Sequence, residues 1–125
     1  MNPDTGLVVF AHGSSVEAAN EAVRAVSAAL AAKGGFSNVE AAFLEMGKPD
    51  LAGAAEKLMA RGVSRVVVVP YFLTVGIHLK RDLPKLVADL CEVHPELRVD
   101  TAPPLDGHAA LVDILMARAE EALAK

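Results

Sequence analysis

Two histidines stand out for the chemistry they could do: His12 in the segment His12-Gly13-Ser14, and His78 in Gly76-Ile77-His78, continued by Asp82-Leu83-Pro84. A carboxylate, Glu45, ends a third segment, Phe43-Leu44-Glu45. Imidazole is borderline in softness and accepts cobalt, nickel, iron and zinc alike. Two histidines with an optional carboxylate make an open coordination sphere, as a transient metal site requires, whereas a structural zinc site closes its sphere with four ligands. The single cysteine, Cys91, excludes an internal disulfide and a four-cysteine metal site. It follows Leu83, Val87 and Leu90 at helical spacing and reads as a small buried hydrophobe. Spacing alone leaves a plainer reading open, in which each histidine is a loop residue bonded to backbone and Glu45 is a favourable charge at a helix N-terminus.

The elements that would position these residues repeat four times: a short apolar or β-branched run, a turn, then a longer segment with helical periodicity. That pattern predicts βα units around a parallel sheet. The first strand is Leu7 to Ala11, which leaves His12 in the following loop; Ser14 with Glu17 reads as a capping box that starts a helix near Ser15. Val16, Ala19, Val23, Val26 and Leu30 form its expected buried stripe, and Gly34-Gly35 ends it. The second strand spans Asn38 to Leu44. Pro49 then suits a first helical turn, with Leu51, Ala54, Ala55, Leu58 and Met59 facing inward and Gly62 closing the unit. The third strand, Arg65 to Pro70, carries Val66-Val67-Val68-Val69 and reads as buried on both faces. A loop through Gly76 and His78 follows. Asp82 is the expected cap of a helix containing Leu83, Leu86, Val87 and Leu90, with Pro84 in its first turn. The fourth strand is Leu97 to Ala102, and the last helix runs through Leu111, Ile114, Leu115 and Leu123.

Four such units with right-handed crossovers predict an α/β three-layer sandwich: a four-stranded parallel sheet with helices on both faces, one domain over residues 1–125. With strand order 2-1-3-4, the switch point falls between strands 1 and 3, at their carboxyl ends. His12 and His78 would then converge on the crevice where this architecture binds ligands.

Composition narrows the classes. The 53% hydrophobic and 22% charged residues are globular, and a formal charge of -4 argues against a nucleic-acid binder. No apolar stretch approaches the roughly 20 residues that span a bilayer, and Met1-Asn2-Pro3-Asp4 lacks the basic start of a signal peptide, so a soluble, cytoplasmic protein without a membrane partner is expected. Neither phosphate-binding glycine motif occurs, which removes the support for a nucleotide. There is no G-x-S-x-G elbow, and Ala11 stands before His12 where histidine phosphatases carry arginine.

The segments His12-Gly13-Ser14, Phe43-Leu44-Glu45 and Pro70-Tyr71-Phe72-Leu73-Thr74-Val75-Gly76-Ile77-His78, with Asp82-Leu83-Pro84, Pro103-Pro104-Leu105 and His108, resemble the small sirohydrochlorin cobaltochelatases of the class II chelatase family. The resemblance runs in order from Leu7 to Leu115, and the G-x-H-x-x-x-D-x-P pattern is its most discriminating part. It implies a lyase that inserts Co2+, Fe2+ or Ni2+ into sirohydrochlorin or a related tetrapyrrole without ATP. His12 and His78 would hold the metal, and Glu45 would share in the catalysis. Metallation removes two pyrrole protons, which a neutral imidazole can accept. Since the implied substrate is a polycarboxylate, Lys80, Arg81, Lys48 and Lys85 gain a role in steering or pairing it, and Ser14 and His108 are further binding candidates. Backbone amides of the helix after Ser14 could also receive a carboxylate. His94, before Pro95 at a helix end, reads as structural. Ser15 stands where many relatives have arginine, Asp106 interrupts a usual Leu-Gly step, and there is no histidine-rich tail. The chain corresponds to one half of the longer members, so a homodimer is the natural expectation. A non-catalytic cobalt or nickel carrier and a plain dimeric interaction domain are the alternatives.

Overall fold

The computed structural model describes residues 2–74 and 76–125, and every side chain among them except that of His78. Strands and helices alternate as β1 (Thr5–Ala11), α1 (Glu17–Gly34), β2 (Val39–Phe43), α2 (Leu51–Met59), β3 (Arg65–Pro70), α3 (Ile77–Val93), β4 (Arg98–Thr101) and α4 (Ala110–Leu123). All strand pairs are parallel, in the order β2-β1-β3-β4. This is the 2-1-3-4 sheet expected from the sequence, and it puts the switch point between β1 and β3.

The register assigns the faces. Leu7 pairs with Val39 and Val67, and Val9 with Ala41 and Val69, so these side chains share one face; Val8, Phe10, Ala42, Val66 and Val68 share the other. The second set packs against Leu51, Ala54, Ala55 and Leu58 of α2 and Leu79, Leu83 and Leu90 of α3, forming the main core. Truncating Phe10 there would cost about 3–5 kcal/mol, because packing this close leaves a cavity that cannot collapse. On the opposite face α1 covers β1 and β2, with Arg24 lying 5.2 Å over the Phe43 ring. Among the described residues, no helix is long and apolar enough to cross a membrane.

Several local expectations are corrected. The helix after His12 begins at Glu17, not near Ser15, and no side chain caps it. Glu17 is engaged by Arg24 and Asn20, so the reciprocal capping box never closes. The buried side of α1 is Asn20 and Ser27 with half-buried Val23 and Leu30, whereas Val16 and Val26 are exposed. An alanine-rich helix is apolar on several sides, so its periodicity does not single out the face that packs. Pro49 lies outside α2, after a cis Lys48–Pro49 bond, and Asp50 caps that helix by accepting from the Gly53 amide at 2.8 Å. Helix α3 begins at Ile77, so Asp82 and Pro84 lie inside it and His78, Lys80 and Arg81 belong to its first turns. Ring closure at Pro84 removes one amide donor, which that helix tolerates.

The largest departure is α4, which buries none of its residues and leaves Val112, Ile114, Leu115, Met116 and Leu123 exposed. As a result Val67 and Val69 of β3 are only half-buried, and β1 rather than β3 is the strand covered on both faces.

Candidate functional site

The site is built at the carboxyl ends of β1 and β2. Two backbone bonds continue the sheet past its strands: the Leu44 amide donates to Ala11 O at 2.9 Å, and the Glu45 amide donates to His12 O at 3.0 Å. The loops after β1 and β2 therefore run side by side. Gly13 makes this approach possible. It has φ of 92°, a region L side chains rarely adopt, and a Cβ there would fall 1.7 Å from Glu45 O.

These backbone contacts bring two of the expected side chains together. His12 Nε2 lies 3.5 Å from Glu45 Oε1, each side chain being 56% exposed, and His12 Nδ1 lies 3.3 Å from Gly13 O. Among the described residues no third histidine, cysteine or carboxylate completes a metal-binding group with them. The backbone of His78 opens α3 directly after the loop that follows β3, on the same sheet edge across the switch point. Its side chain lies outside the described part of the chain.

Asn20 is a residue that sequence reasoning missed. It is 1% exposed, on the inner side of α1, and its amide is fully used. Oδ1 accepts from the Ser14 amide at 2.9 Å, while Nδ2 donates to Ser14 O and to Met46 O, each at 2.9 Å. The Glu17 carboxylate is 3.4 Å from Nδ2. One side chain thus ties the loop bearing His12 to the loop bearing Glu45. A signal is present in the sequence: a polar residue with Val23, Ser27 and Leu30 on one helical face.

The remaining expected residues fall into distinct places. Ser14 stands beside the site, but its amide is committed to Asn20 and its hydroxyl accepts from the Val16 amide at 3.0 Å. Lys80 lines a cleft of about 520 Å³ at the carboxyl ends of β3 and β4, with Pro70, Leu79, Thr101 and Asp106. Arg81 is exposed on α3 next to Asp82, at 4.0 Å. His108 accepts from the Ala110 amide at 3.0 Å, just before α4. Lys48 is exposed in the loop after β2, where its carbonyl accepts from Arg24 at 3.2 Å, and Lys85 pairs with Asp89 at 3.8 Å. His94 caps the end of α3 and meets Glu56 at 3.1 Å, the structural role expected of it. Cys91 is half-buried rather than buried.

Electrostatically, the base of the His12 loop is braced by Arg24, which bonds Glu17 at 2.6 Å and also Glu21. The hydrogen bond from Arg24 lowers the Glu17 carboxyl below its usual range, and the same contact raises the Arg24 guanidinium.

Known proteins are similar to this chain over most of its length. The sirohydrochlorin cobaltochelatase of Sulfolobus acidocaldarius is 36% identical over 118 residues, covering 94% of this chain and 92% of that protein. The chloroplastic sirohydrochlorin ferrochelatase of Arabidopsis thaliana is 30% identical over 94% of this chain, which spans only 52% of that longer protein. The sirohydrochlorin chelatase SirB of Bacillus subtilis, solved in complex with cobalt, superposes with a TM-score of 0.86 at 24% identity, over 94% of this chain and 50% of SirB. The CbiX family model matches residues 6–122, nearly the whole chain, and the chain therefore belongs to the CbiX family.

Proposed function

We propose that this chain is a lyase that inserts a divalent metal, Co2+ above all and Fe2+ or Ni2+ as alternatives, into sirohydrochlorin or a related tetrapyrrole, with no nucleotide. The observation that carries this reading is the His12–Glu45 pair at 3.5 Å in a chain of the CbiX family. Two protein ligands bound to one tetrahedral ion, each about 2.1 Å from it, stand about 3.4 Å apart. A separation of 3.5 Å therefore leaves both groups within reach of one ion. We assign His12 and His78 as metal ligands, with Glu45 joining them.

The chemistry follows from what those groups do when the metal leaves. As nitrogen–metal bonds form in the macrocycle, two pyrrole N–H bonds break and the metal's bonds to His12, His78 and Glu45 are released. Each freed imidazole or carboxylate then has a lone pair with which to accept a proton. Holding the ion against one face of the macrocycle replaces a bimolecular encounter by a positioned one. Lys80, which lines a cleft, and exposed Arg81 and Lys48 would pair substrate carboxylates.

We further propose that the chain is one chelatase-like domain that works in the cytoplasm as a homodimer. The exposed apolar side chains of α4 and the half-covered Val67 and Val69 are surfaces that a folded chain would bury. The SirB and Arabidopsis proteins are about twice the length this chain spans, which fits a second copy standing where those proteins have further chain.

The test is to mix the protein with sirohydrochlorin and Co2+ and follow the absorbance bands of the macrocycle. Insertion should exceed the spontaneous rate and fall to it in His12→Ala and His78→Ala. A protein that binds Co2+ yet never accelerates insertion would be a carrier, and the lyase reading would fail.

A further inference from the structure

We infer that Asn20 is a positioning residue for metal insertion, holding His12 and Glu45 at their mutual distance through the backbone of both loops. This role rests on the chelatase reading. Asn20 touches neither side chain, yet it bonds the residues next along: Ser14, after His12-Gly13, and Met46, after Glu45. Its amide meets both the N–H and the carbonyl of Ser14, as a neighbouring strand would, and donates its remaining proton to Met46 O. Met46 has φ of 53°, so the turn that presents Glu45 is not one the chain adopts by default. Gly47 lets that turn lie against the Phe43 ring and the amide, since a Cβ there would come 2.8 Å from Phe43 Cγ and 3.1 Å from Asn20 Nδ2.

The geometry demands one acceptor and two donors at the end of a short side chain, and only asparagine supplies them. Aspartate keeps the shape and the acceptor but loses both donors, and it turns a carboxylate oxygen toward the carbonyls of Ser14 and Met46. Alanine removes the link without adding a charge. In each case the two loops stay tethered by the Glu45 amide on His12 O, so the fold should persist while the His12–Glu45 spacing relaxes.

The experiment uses the full chain carrying Asn20→Asp, Asn20→Ala and each combined with His12→Ala. Two readouts are taken: Co2+ affinity from a titration with the metal alone, and the rate of Co2+ insertion into sirohydrochlorin. Removing a group that orients metal ligands weakens metal binding or activity by about 10–100-fold. A loss of that size is expected from either single Asn20 variant in protein that keeps its circular dichroism. In the His12→Ala background the same substitution should change Co2+ affinity by less than about threefold, because the spacing that Asn20 holds needs both His12 and Glu45. The positioning role is overturned if the single variants stay within about threefold of wild type, or if the losses of Co2+ affinity multiply in the double variants. It is equally overturned if both single variants are unfolded, since Asn20 then serves the fold alone. Should wild type bind Co2+ without accelerating insertion, the chelatase reading fails, and the titration still decides for or against Asn20.

Discussion

Replacing Gly13 by alanine should damage both the stability of the chain and its chemistry, because this residue is where the two site loops nearly touch. An added Cβ would sit 1.7 Å from Glu45 O and 2.9 Å from the carbonyl carbon, both backbone atoms. Relieving that clash needs a relative movement of about 1.5 Å, since carbon and oxygen settle at separations well above 3 Å. The movement breaks the bond from the Glu45 amide to His12 O, worth about 1 kcal/mol, and alanine at φ of 92° adds about 1–2 kcal/mol of backbone strain. The combined cost is about 2–3 kcal/mol, or roughly 8–12 °C in Tm for a domain of this size. A reacting group misplaced by about 1 Å loses about 100-fold in rate, so Co2+ insertion should fall by that factor. Gly62→Ala is the control: φ there is 91°, but nothing lies within 4 Å of the added Cβ. It should show the strain cost with no change in insertion. Thermal melts and insertion kinetics on both variants decide the matter. If Gly13→Ala inserts cobalt at the wild-type rate, or if the two variants behave alike, the close approach of the two loops does not set the geometry of the site.

Other outcomes follow from the same structure. Glu45→Gln should weaken Co2+ binding about tenfold while leaving the melting temperature within about 2 °C, since Glu45 is exposed and its pairing among the described residues is with exposed His12; calorimetric titration reads the first and a melt the second. Below the ordinary carboxylate value of 4.5 the chain should lose the stability that Glu17 contributes. The folded-state value of Glu17 is lowered by Arg24, so that contribution is complete above 4.5 and disappears as pH falls through the lowered value. Arg24→Gln should flatten this part of an acid-denaturation curve. Finally, Leu115→Asp on exposed α4, where Leu115 is 69% exposed, should convert a dimer to a monomer in light scattering without unfolding it. A monomeric wild type would refute the dimer proposal.

Most of the fold is legible in the sequence because it rests on short-range rules. The run Leu7 to Ala11 and the valines of β3 are short apolar or β-branched runs that read as strands, and the connecting segments are long enough for crossover helices. What stays hidden depends on contacts between distant residues. The capping box at Ser14 and Glu17 is locally sound, but Asn20 takes the Ser14 amide and Arg24 takes the Glu17 carboxylate, so a tertiary arrangement overrides a local motif. The inner face of α1 is misread for the same reason. Buried Asn20 and Ser27 look polar in a pattern, yet Ser27 satisfies itself on Val23 O at 2.8 Å and Asn20 on two loops. The stripe on α4 is apolar as expected but not buried within the chain, because periodicity reports a face that needs a partner and not which partner it finds.

The histidine motif and the asparagine answer two different requirements of a site that must let its metal go. A closed four-ligand cage would bind tightly and release slowly, so a chelatase needs few ligands and an open side. Few ligands, however, give little binding energy with which to organise flexible loops, and the organisation must come from elsewhere. In this chain it comes from backbone: the strand-like bonds from Leu44 and Glu45, the close approach at Gly13, and the buried amide of Asn20. These contacts run through backbone and the Asn20 amide, and none of them uses a side chain proposed to hold the metal. Ligation and positioning are then separate tasks. Removing a proposed ligand such as His12 should weaken metal binding with the loops intact, whereas weakening the Asn20 link should weaken it with every proposed ligand still present.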